Sequence, residues 1–192
     1  MPHLITVYCA SSRKIHSKYT DATIALADEL LKRKAQVLYG GGAVGLMGTL
    51  ANRYLEKGGL IKGIIPEFMV KVEWAHPGVK DMVVVHDMHQ RKKMLIENTD
   101  AVIALPGGTG TLEELIEVIT LKRLGKFSKP TLLLNVDGFY KPLHDFLQKM
   151  ADEHFLNPEH LGMWKLIDKP ADFWPAIDNS AEWHSDISLA QV

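Results

Sequence analysis

A glycine-rich stretch with neighbouring hydroxyl and carboxylate groups is the part of this sequence best suited to chemistry. The segment Pro106–Glu114 reads PGGTGTLEE and follows the apolar run Ala101–Leu105. A tight turn between a strand and a helix presents backbone N–H groups at the helix N-terminus, where they bind anions, most often phosphate. Thr109 and Thr111 add hydroxyl donors. The glycines that would let the backbone approach a ligand closely are Gly107, Gly108 and Gly110.

Two adjacent glutamates, Glu113 and Glu114, lie one turn inside the helix that this loop begins. Acidic residues in the first turns of a helix are common because they interact favourably with the helix dipole. A carboxylate beside a bound phosphate is nevertheless repelled by it, which suggests work on a cationic transition state or on an attacking water. Successive helical residues point about 100° apart. Only one glutamate should therefore enter the site, and helical phase alone does not choose between them.

The basic pair Arg91 and Lys92 is a second chemical feature, close to the start of another helix. Asp87 can cap this helix, with Gln90 at the third helical position as in a capping box. Cations near a helix N-terminus oppose the helix dipole by about a few tenths of a kcal/mol each. A solvated basic face would explain either residue alone. Beside an anion-binding loop, the pair favours a clamp for an anionic substrate.

The elements that must position these groups alternate along the chain as apolar strands and amphipathic helices. The strands are continuous apolar runs, which is typical of a parallel sheet covered on both faces. They are predicted at Leu4–Tyr8, Gln36–Tyr39, Leu60–Ile65, Met82–Val85, Ala101–Leu105, Thr131–Val136 and Trp164–Ile167. The sequence thus predicts an α/β fold, a single-domain Rossmann-like doubly wound parallel sheet with helices on both faces. We expect this domain over residues 1–178 and a polar C-terminal tail over residues 179–192.

In open parallel sheets, ligands bind at the carboxyl ends of the strands beside the topological switch point. Ser11–Ser12, Gly40–Gly45 and the glycine loop all follow predicted strands, so we expect them on one rim, with Ser12, Gly41 and Gly42 contributing to one site. Gly40–Gly45 also matches the dinucleotide fingerprint formally. It follows the second strand rather than the first, so NAD is not expected. The loop could contact another nucleotide, or it could be only a tight turn that packs the helix against the strand. Residues 67–81 have no clear period and suggest a lid or binding loop.

Composition excludes several classes of protein. The 192 residues are 46% hydrophobic and 23% charged with a formal net charge of −1, so a nucleic-acid polymer is not expected as a partner. No apolar run approaches the roughly 18 residues of a membrane helix, and the first ten residues do not resemble a secretory leader. The single cysteine, Cys9, fits a reducing, cytoplasmic compartment and a buried, inert thiol. His86 and His89 lack a neighbouring set of ligands, so no metal is expected.

Four motifs together resemble the LOG ("Lonely guy") family of cytokinin riboside 5′-monophosphate phosphoribohydrolases, which were formerly described as lysine decarboxylases. They are PGGTGTLEE at 106–114, YGGGAVGLMG at 39–48, MHQRK at 88–92 and LNVDG at 134–138. The resemblance covers roughly residues 4–155. Two departures concern the base pocket: Ala10 replaces a common glycine before the serine pair, and Leu121 replaces a frequent tryptophan.

The resemblance implies a homodimer that hydrolyses the N-glycosidic bond of N6-modified adenosine 5′-monophosphates to free base and ribose 5-phosphate, with no metal or redox cofactor. It implies Arg91 and Glu114 as the catalytic pair, which selects Glu114 over Glu113. The substrate contacts that it implies are Glu73, Lys92, the loop Gly108–Glu114 including Leu112 and Glu113, and Thr120.

Three alternative functions remain open at this point. The same site could serve an AMP or general purine-nucleotide nucleosidase, or a nucleotide-binding module without turnover. A decarboxylase that uses pyridoxal phosphate would need a lysine that forms a Schiff base, and no lysine stands out in such a setting in the sequence.

Overall fold

Seven parallel strands form one sheet within residues 3–71 and 75–184, the part of the chain that this computed structural model describes. The strands are β1 Leu4–Tyr8, β2 Gln36–Tyr39, β3 Ile61–Pro66, β4 Asp81–Val85, β5 Ala101–Ala104, β6 Thr131–Leu134 and β7 Lys165–Ile167. Their order across the sheet is β4-β3-β2-β1-β5-β6-β7. The chain winds outward from β1 to β4, returns to place β5 beside β1, and continues outward on the other side. The topological switch point therefore lies between β1 and β5.

Helices cover both faces of the sheet, as a doubly wound fold requires. They are α1 Ser17–Lys32, α2 Gly45–Glu56, the single turn α3 Glu67–Met69, α4 Met88–Ile96, α5 Thr109–Arg123, α6 Lys141–Asp152 and α7 Phe173–Asp178. One hydrophobic core lies between the sheet and α1, α2 and α7. A second lies between the opposite face and α4, α5 and α6. The predicted α/β fold is confirmed, and α4 and α5 share the second face.

The predicted bounds of β3, β4, β5 and β7 differ from the structure by one residue, and the end of β6 differs by two. The strand predicted to reach Val136 ends at Leu134, because the Asn135 side chain accepts a hydrogen bond from the Tyr140 N–H at 2.9 Å and the backbone turns. The following turn of 3₁₀ helix, Val136–Gly138, has Asp137 in the left-handed region at φ 52°. The helix that the glycine loop begins starts at Thr109, so Glu113 and Glu114 lie one turn inside it, as predicted.

The unpatterned segment 67–81 contains α3 and then returns to the sheet. Ala75 forms an isolated antiparallel bridge with Gly42, and the His76 N–H donates to the Gly41 carbonyl at 3.0 Å. Glu73, which the family resemblance implies as a substrate contact, lies outside the described residues.

At the C-terminal end of the described chain, the Trp183 N–H donates to the Ser128 carbonyl at 3.0 Å. The Glu182 carboxylate lies 3.0 Å from the Lys129 amine. The division into a domain of residues 1–178 and a tail of residues 179–192 stays a prediction, because the last eight residues lie outside the described part. None of the described helices is both long and apolar enough to cross a membrane.

Helix α4, which carries Arg91, is fixed at its N-terminus by a side-chain cap. The Asp87 carboxylate accepts a hydrogen bond from the Gln90 N–H at 2.8 Å, and this bond lowers the pKa of Asp87. The Gln90 side-chain oxygen accepts from the His86 N–H at 3.1 Å rather than from the Asp87 N–H of an ideal capping box. The predicted cap is confirmed, with its reciprocal bond moved by one residue.

The other end of α4 is held by two buried hydroxyl groups. The Thr6 hydroxyl, in the middle of β1, donates to the carbonyl of Leu95 in the last turn of α4. It also lies 3.1 Å from the Thr99 hydroxyl, which is 2.8 Å from the Ala101 carbonyl at the start of β5. These bonds connect the helix to the two strands that flank the switch point.

We expect Thr6→Val to lower the free energy of unfolding by about 1–3 kcal/mol, because the buried Leu95 carbonyl loses its side-chain donor. Urea titration followed by circular dichroism measures this loss. The matched control is Thr23→Val in α1, whose equally buried hydroxyl donates to the Tyr19 carbonyl at 2.8 Å within a single helix. The control should lose less than about 1 kcal/mol. Equal losses in the two variants would contradict the role assigned to Thr6.

Candidate active site

A cavity of about 320 Å³, which we call the rim cavity, opens at the carboxyl ends of β1, β2 and β5. It lies at the topological switch point, as expected for an open parallel sheet. Its wall includes the loop after β1 with Ser12, Gly40 after β2, and the loop Gly108–Thr111 at the start of α5. Arg91 from α4 and Glu114 from α5 complete it. The structure thus brings together the three loops that the sequence predicted on one rim.

Arg91 and Glu114 form a buried ion pair in the wall of the rim cavity. The Arg91 Nη1 donates to Glu114 Oε1 at 2.7 Å, and Arg91 Nε donates to the Ile64 carbonyl at 3.1 Å. Only 6% of Arg91 and 7% of Glu114 is exposed. A charge-assisted bond of this length in a desolvated setting fixes both side chains. The pair presents a carboxylate of defined orientation to a cavity that can hold a ligand.

Gly40 provides the space that this arginine occupies. A Cβ atom at Gly40 would overlap with Arg91 Nη2 and would lie 3.0 Å from Met47 Sδ. The backbone of Gly40 is not in the left-handed region, so an L-amino acid is excluded here by its side chain and not by its dihedral angles. The absence of a side chain at Gly40 therefore leaves the room that the Arg91 guanidinium needs.

The glycine loop divides into a packed part and an open part. At Gly107, a Cβ atom would overlap with the Thr111 side chain, so this glycine is required by the protein itself. At Gly108 and Gly110, a Cβ atom would meet no atom of the described residues within 4 Å apart from chain neighbours, and both glycines border the rim cavity. No described side chain caps the N-terminus of α5 at Gly108. The backbone N–H groups of this first turn are thus suited to receive an anion from the cavity.

Glu113 and Lys92 face a different direction from the Arg91–Glu114 pair. The Lys92 amine contacts the Glu113 carboxylate and lies 3.2 Å from Glu117 Oε2. The hydrogen bond that Lys92 donates to Glu113 raises the pKa of Lys92. Neither Lys92 nor Glu113 is part of the wall of the rim cavity. Helical phase had left two glutamates open, and the structure places Glu114 at the cavity and Glu113 at the surface.

Four other residues predicted from the sequence lie away from the cavity wall. Gly41 and Gly42 are behind it, where they bond to the segment after α3. Leu112 packs against the second hydrophobic core. Thr120 lies six residues beyond Glu114 in α5, about 9 Å along the helix axis, and its exposed hydroxyl donates to the Ile116 carbonyl at 2.8 Å.

Tyr8 and three methionines line the rim cavity but were not identified from the sequence. Met47, Met69 and Met88 reach it from three different segments, so no local spacing connects them. Their flexible thioethers provide an adaptable apolar wall. Tyr8 ends β1 on the face occupied by α5. Burial, and secondarily the Glu114 carboxylate, raises the pKa of Tyr8, so its phenol keeps its proton. Because side chains alternate between the two faces of a strand, the position of Tyr8 in β1 could have indicated which face it lies on.

No three His, Cys, Asp or Glu side chains in the described part of the chain are grouped so that they could hold a metal ion. The site is therefore described by its backbone N–H groups, its hydroxyls and the Arg91–Glu114 pair.

The fold and the site together define a Rossmann-like α/β protein that can hold an anionic ligand at its switch point beside a buried arginine–glutamate pair. Residues 47–177 match the family described as "Possible lysine decarboxylase". The chain belongs to this family, the LOG family that the four motifs resemble.

Curated relatives carry a more specific name than the family description. The cytokinin riboside 5′-monophosphate phosphoribohydrolase of Rhodococcoides fascians is 44% identical over 158 residues, covering 82% of this chain and 80% of the relative. A cytokinin riboside 5′-monophosphate phosphoribohydrolase of Arabidopsis thaliana is 46% identical over 154 residues, covering 80% of this chain and 72% of the relative.

A solved structure supports the fold independently of these names. The molybdenum cofactor carrier protein of Chlamydomonas reinhardtii superimposes with a TM-score of 0.70 at 17% identity. The match covers 93% of this chain and 97% of the carrier protein. At this identity the likeness establishes the shared architecture alone.

We expect Arg91→Met to destabilise the protein by about 3 kcal/mol at pH 8, because it leaves the buried Glu114 carboxylate without its guanidinium. Such a carboxyl has a folded-state pKa raised above its unfolded value. Stability is then retained below the unfolded pKa and lost as the pH rises through the folded pKa. The loss relative to the unmodified protein should therefore be smaller at pH 5 than at pH 8 in urea unfolding.

The double variant Arg91→Met/Glu114→Gln is the control for this experiment. It removes both charges, so it should recover most of the stability at pH 8 and show no added pH dependence. A loss that is the same at both pH values, or no recovery in the double variant, would show that the pair is not the source of the effect.

Proposed function

We propose that this chain hydrolyses the N-glycosidic bond of N6-modified adenosine 5′-monophosphates and releases the free base and ribose 5-phosphate. The observation that carries the proposal is the buried Arg91–Glu114 pair in the same cavity as an open glycine loop. The family membership and the names of the curated relatives support it.

In this proposal the loop Gly107–Thr111 holds the 5′-phosphate. The protein itself does not need glycine at positions 108 and 110, since a side chain there would meet open space. A ligand that fills this space explains why the Cβ atoms are absent. The N-terminus of α5 supplies backbone N–H groups, and the Thr109 and Thr111 hydroxyls can add further hydrogen bonds.

Glu114 is the proposed catalytic carboxylate. Cleavage of a glycosidic bond develops positive, oxocarbenium-like charge on the sugar, which a nearby carboxylate stabilises. The same carboxylate can orient and deprotonate the attacking water. Arg91 keeps this carboxylate ionised and aligned through the 2.7 Å bond, and it offsets the negative charge of the substrate.

Exposed residues on α5 support a homodimer as part of the proposal. Ile116, Thr120 and Leu124 follow one another at four-residue spacing on one face, and the two apolar side chains are 38% and 39% exposed. Within one chain, Thr120 is too far along α5 to border the rim cavity. A second copy that covers this face would bury the apolar side chains and bring polar groups such as Thr120 towards a neighbouring site.

The cytoplasmic compartment also belongs to the proposal. Its support is the single cysteine, Cys9, which is buried in the core. Such a thiol is compatible with a reducing environment.

The description "Possible lysine decarboxylase" fits the rim cavity less well. A decarboxylase of the pyridoxal phosphate type needs a lysine amine beside its phosphate-binding loop. No lysine is among the described residues that line the rim cavity. The buried lysine with a lowered pKa, Lys122, lies at the other end of α5. The arrangement at the rim therefore favours hydrolysis.

We expect Glu114→Gln to lower turnover of isopentenyl-AMP by about 10² or more, as for other losses of a general base. Chromatography of the products formed from a panel of nucleoside monophosphates measures this. The control is Glu29→Gln in α1, a partly buried glutamate that pairs with Lys32 and does not line the rim cavity, so turnover should be unchanged. Near-normal turnover in Glu114→Gln would exclude Glu114 as the catalytic carboxylate.

The same panel separates the alternative functions. Faster release of adenine from AMP than of free base from isopentenyl-AMP would identify a purine-nucleotide nucleosidase. Retained ligand with no ribose 5-phosphate would identify a binding module. Either result would contradict the proposed specificity or the proposed reaction.

We expect Gly110→Ala to weaken AMP binding at least tenfold, because its Cβ atom enters the space assigned to the phosphate. Stability should be unchanged or raised by up to about 1 kcal/mol, since alanine is the better helix former. Calorimetric titration in the Glu114→Gln background avoids consumption of the ligand, and urea unfolding gives the stability. Undiminished AMP affinity would place the phosphate elsewhere.

A further inference from the structure

A second cavity, which we call the Lys122 cavity, lies at the opposite edge of the sheet from the rim. It has a volume of about 340 Å³ and is bordered by the starts of β6 and β7, by the last turn of α5 and by residues 179–183. Nothing in the proposed hydrolysis uses this cavity. It is distinct from the rim cavity, with which it shares no lining residue.

The Lys122 amine is buried in the wall of this cavity. Only 3% of the residue is exposed. Its Nζ donates to the Lys129 carbonyl at 2.9 Å and lies 5.8 Å from the centre of the Trp183 ring. Within residues 3–71 and 75–184, no carboxylate oxygen lies within ion-pair distance of this amine. A lysine buried without a carboxylate is expected to favour its neutral form.

Charged side chains of both signs occur around this cavity. Lys165 lines the same cavity, and Arg123 follows Lys122 in the chain. Glu182 also lines the cavity, but its carboxylate is held by the Ser128 hydroxyl at 2.8 Å and by the Lys129 amine at 3.0 Å. Burial lowers the pKa of Lys122 to about 8.

Trp183 is part of the cavity wall, and His160 packs against Trp183 without lining the cavity. The Trp183 indole N–H donates to the Lys122 carbonyl at 3.1 Å, which fixes the ring beside the amine. The His160 ring packs against Trp183 with 6.4 Å between ring centres, and burial lowers the pKa of His160, so it stays neutral. A neutral His160 thus adds no charge beside the amine.

We propose that Lys122 is a modification site of this protein, at which small aldehydes that enter the Lys122 cavity form a Schiff base with the amine. The neutral Nζ attacks the carbonyl carbon and forms the C–N bond, while the carbonyl oxygen takes up a proton. The resulting carbinolamine loses water to give the imine. The net change is amine plus aldehyde to imine plus water, so no oxidant or reductant is needed. A lysine desolvated in a pocket is activated for this reaction.

The volume of the cavity favours small aldehydes. The glycine loop and the N-terminus of α5, which could bind a phosphate, are at the rim and not here. The indole of Trp183 and the apolar side chain of Met163 offer contacts to a short carbon chain. This chemistry is independent of the proposed hydrolysis, and it concerns the C-terminal end of the same helix.

Reductive methylation of the folded protein tests the proposal. Limiting formaldehyde forms the imine at pH 7.5, and cyanoborohydride reduces it to a stable methylamine that peptide mass spectrometry quantifies at each lysine. Each rate is divided by the rate at the same lysine in urea. An amine with a pKa of about 8 is about one quarter neutral at pH 7.5, against about one part in a thousand for ordinary lysine. Since nucleophilicity falls about tenfold over this pKa difference, the Lys122 ratio should be roughly tenfold or more.

Lys129 and Lys165 serve as internal controls, because both have their amines near the same cavity but are more exposed. Their folded-to-unfolded ratios should stay within about threefold of one. The rate at Lys122 relative to Lys165 should also fall as the pH rises from 7 to 9.5, because the exposed amine gains its neutral form later. In Lys122→Met, the labelled peptide should disappear while the other lysines react as before.

A Lys122 rate in the folded protein that is equal to or below its rate in urea would overturn the proposal, since the amine would then be sealed rather than activated. A rate at Lys122 that keeps pace with Lys165 up to pH 9.5 would overturn it as well. Because both readouts use the unmodified chain, neither depends on the folding of a variant. Neither involves nucleotide hydrolysis, so failure here leaves the proposed function untouched.

Discussion

The buried bond between Arg91 and Glu114 is the interaction on which the site depends. A desolvated ion pair is costly to form and is tolerated only when its geometry is fixed on all sides. Here the fixing comes from long-range structure: α4 is capped at one end by Asp87 and tied at the other to β1 through Thr6. The strand order then sets α4 and α5 on one face of the sheet. The fold thus holds the two helices in the positions that the Arg91–Glu114 bond requires.

Helix α5 contributes at both of its ends. Its N-terminal end borders the rim cavity with Gly108 and, one turn further on, Glu114, and its last turn places Lys122 in a cavity at the opposite edge of the sheet. Desolvation affects the ionisable group at each end of the helix, but the outcome differs because, within the described part of the chain, only one of the two groups has a partner of opposite charge. At the rim, a charged carboxylate is kept in a dry site because a guanidinium compensates it. At the far edge, an amine without such compensation shifts towards its neutral form.

Local pattern was sufficient for the strands, the α4 cap and the meeting of three loops on one rim, because parallel α/β topology brings the ends of the strands together. It could not choose between Glu113 and Glu114, whose roles depend on where α4 lies. Lys92 as a substrate contact stays a prediction, and in the structure its amine contacts Glu113 and lies 3.2 Å from Glu117. Local pattern also overlooked Lys122, because the sequence does not show that Trp183 returns to cover it.

The space at Gly40 links two positions that are far apart in the chain. A methyl group at position 40 and the present placement of Arg91 are mutually exclusive, since both would occupy the same volume. In a combinatorial library, the residues accepted at position 40 would therefore depend on the residue at position 91. A designer who enlarges the first must reposition the cation, and with it the carboxylate that the cation orients. An absent side chain can thus constrain a protein as firmly as any contact.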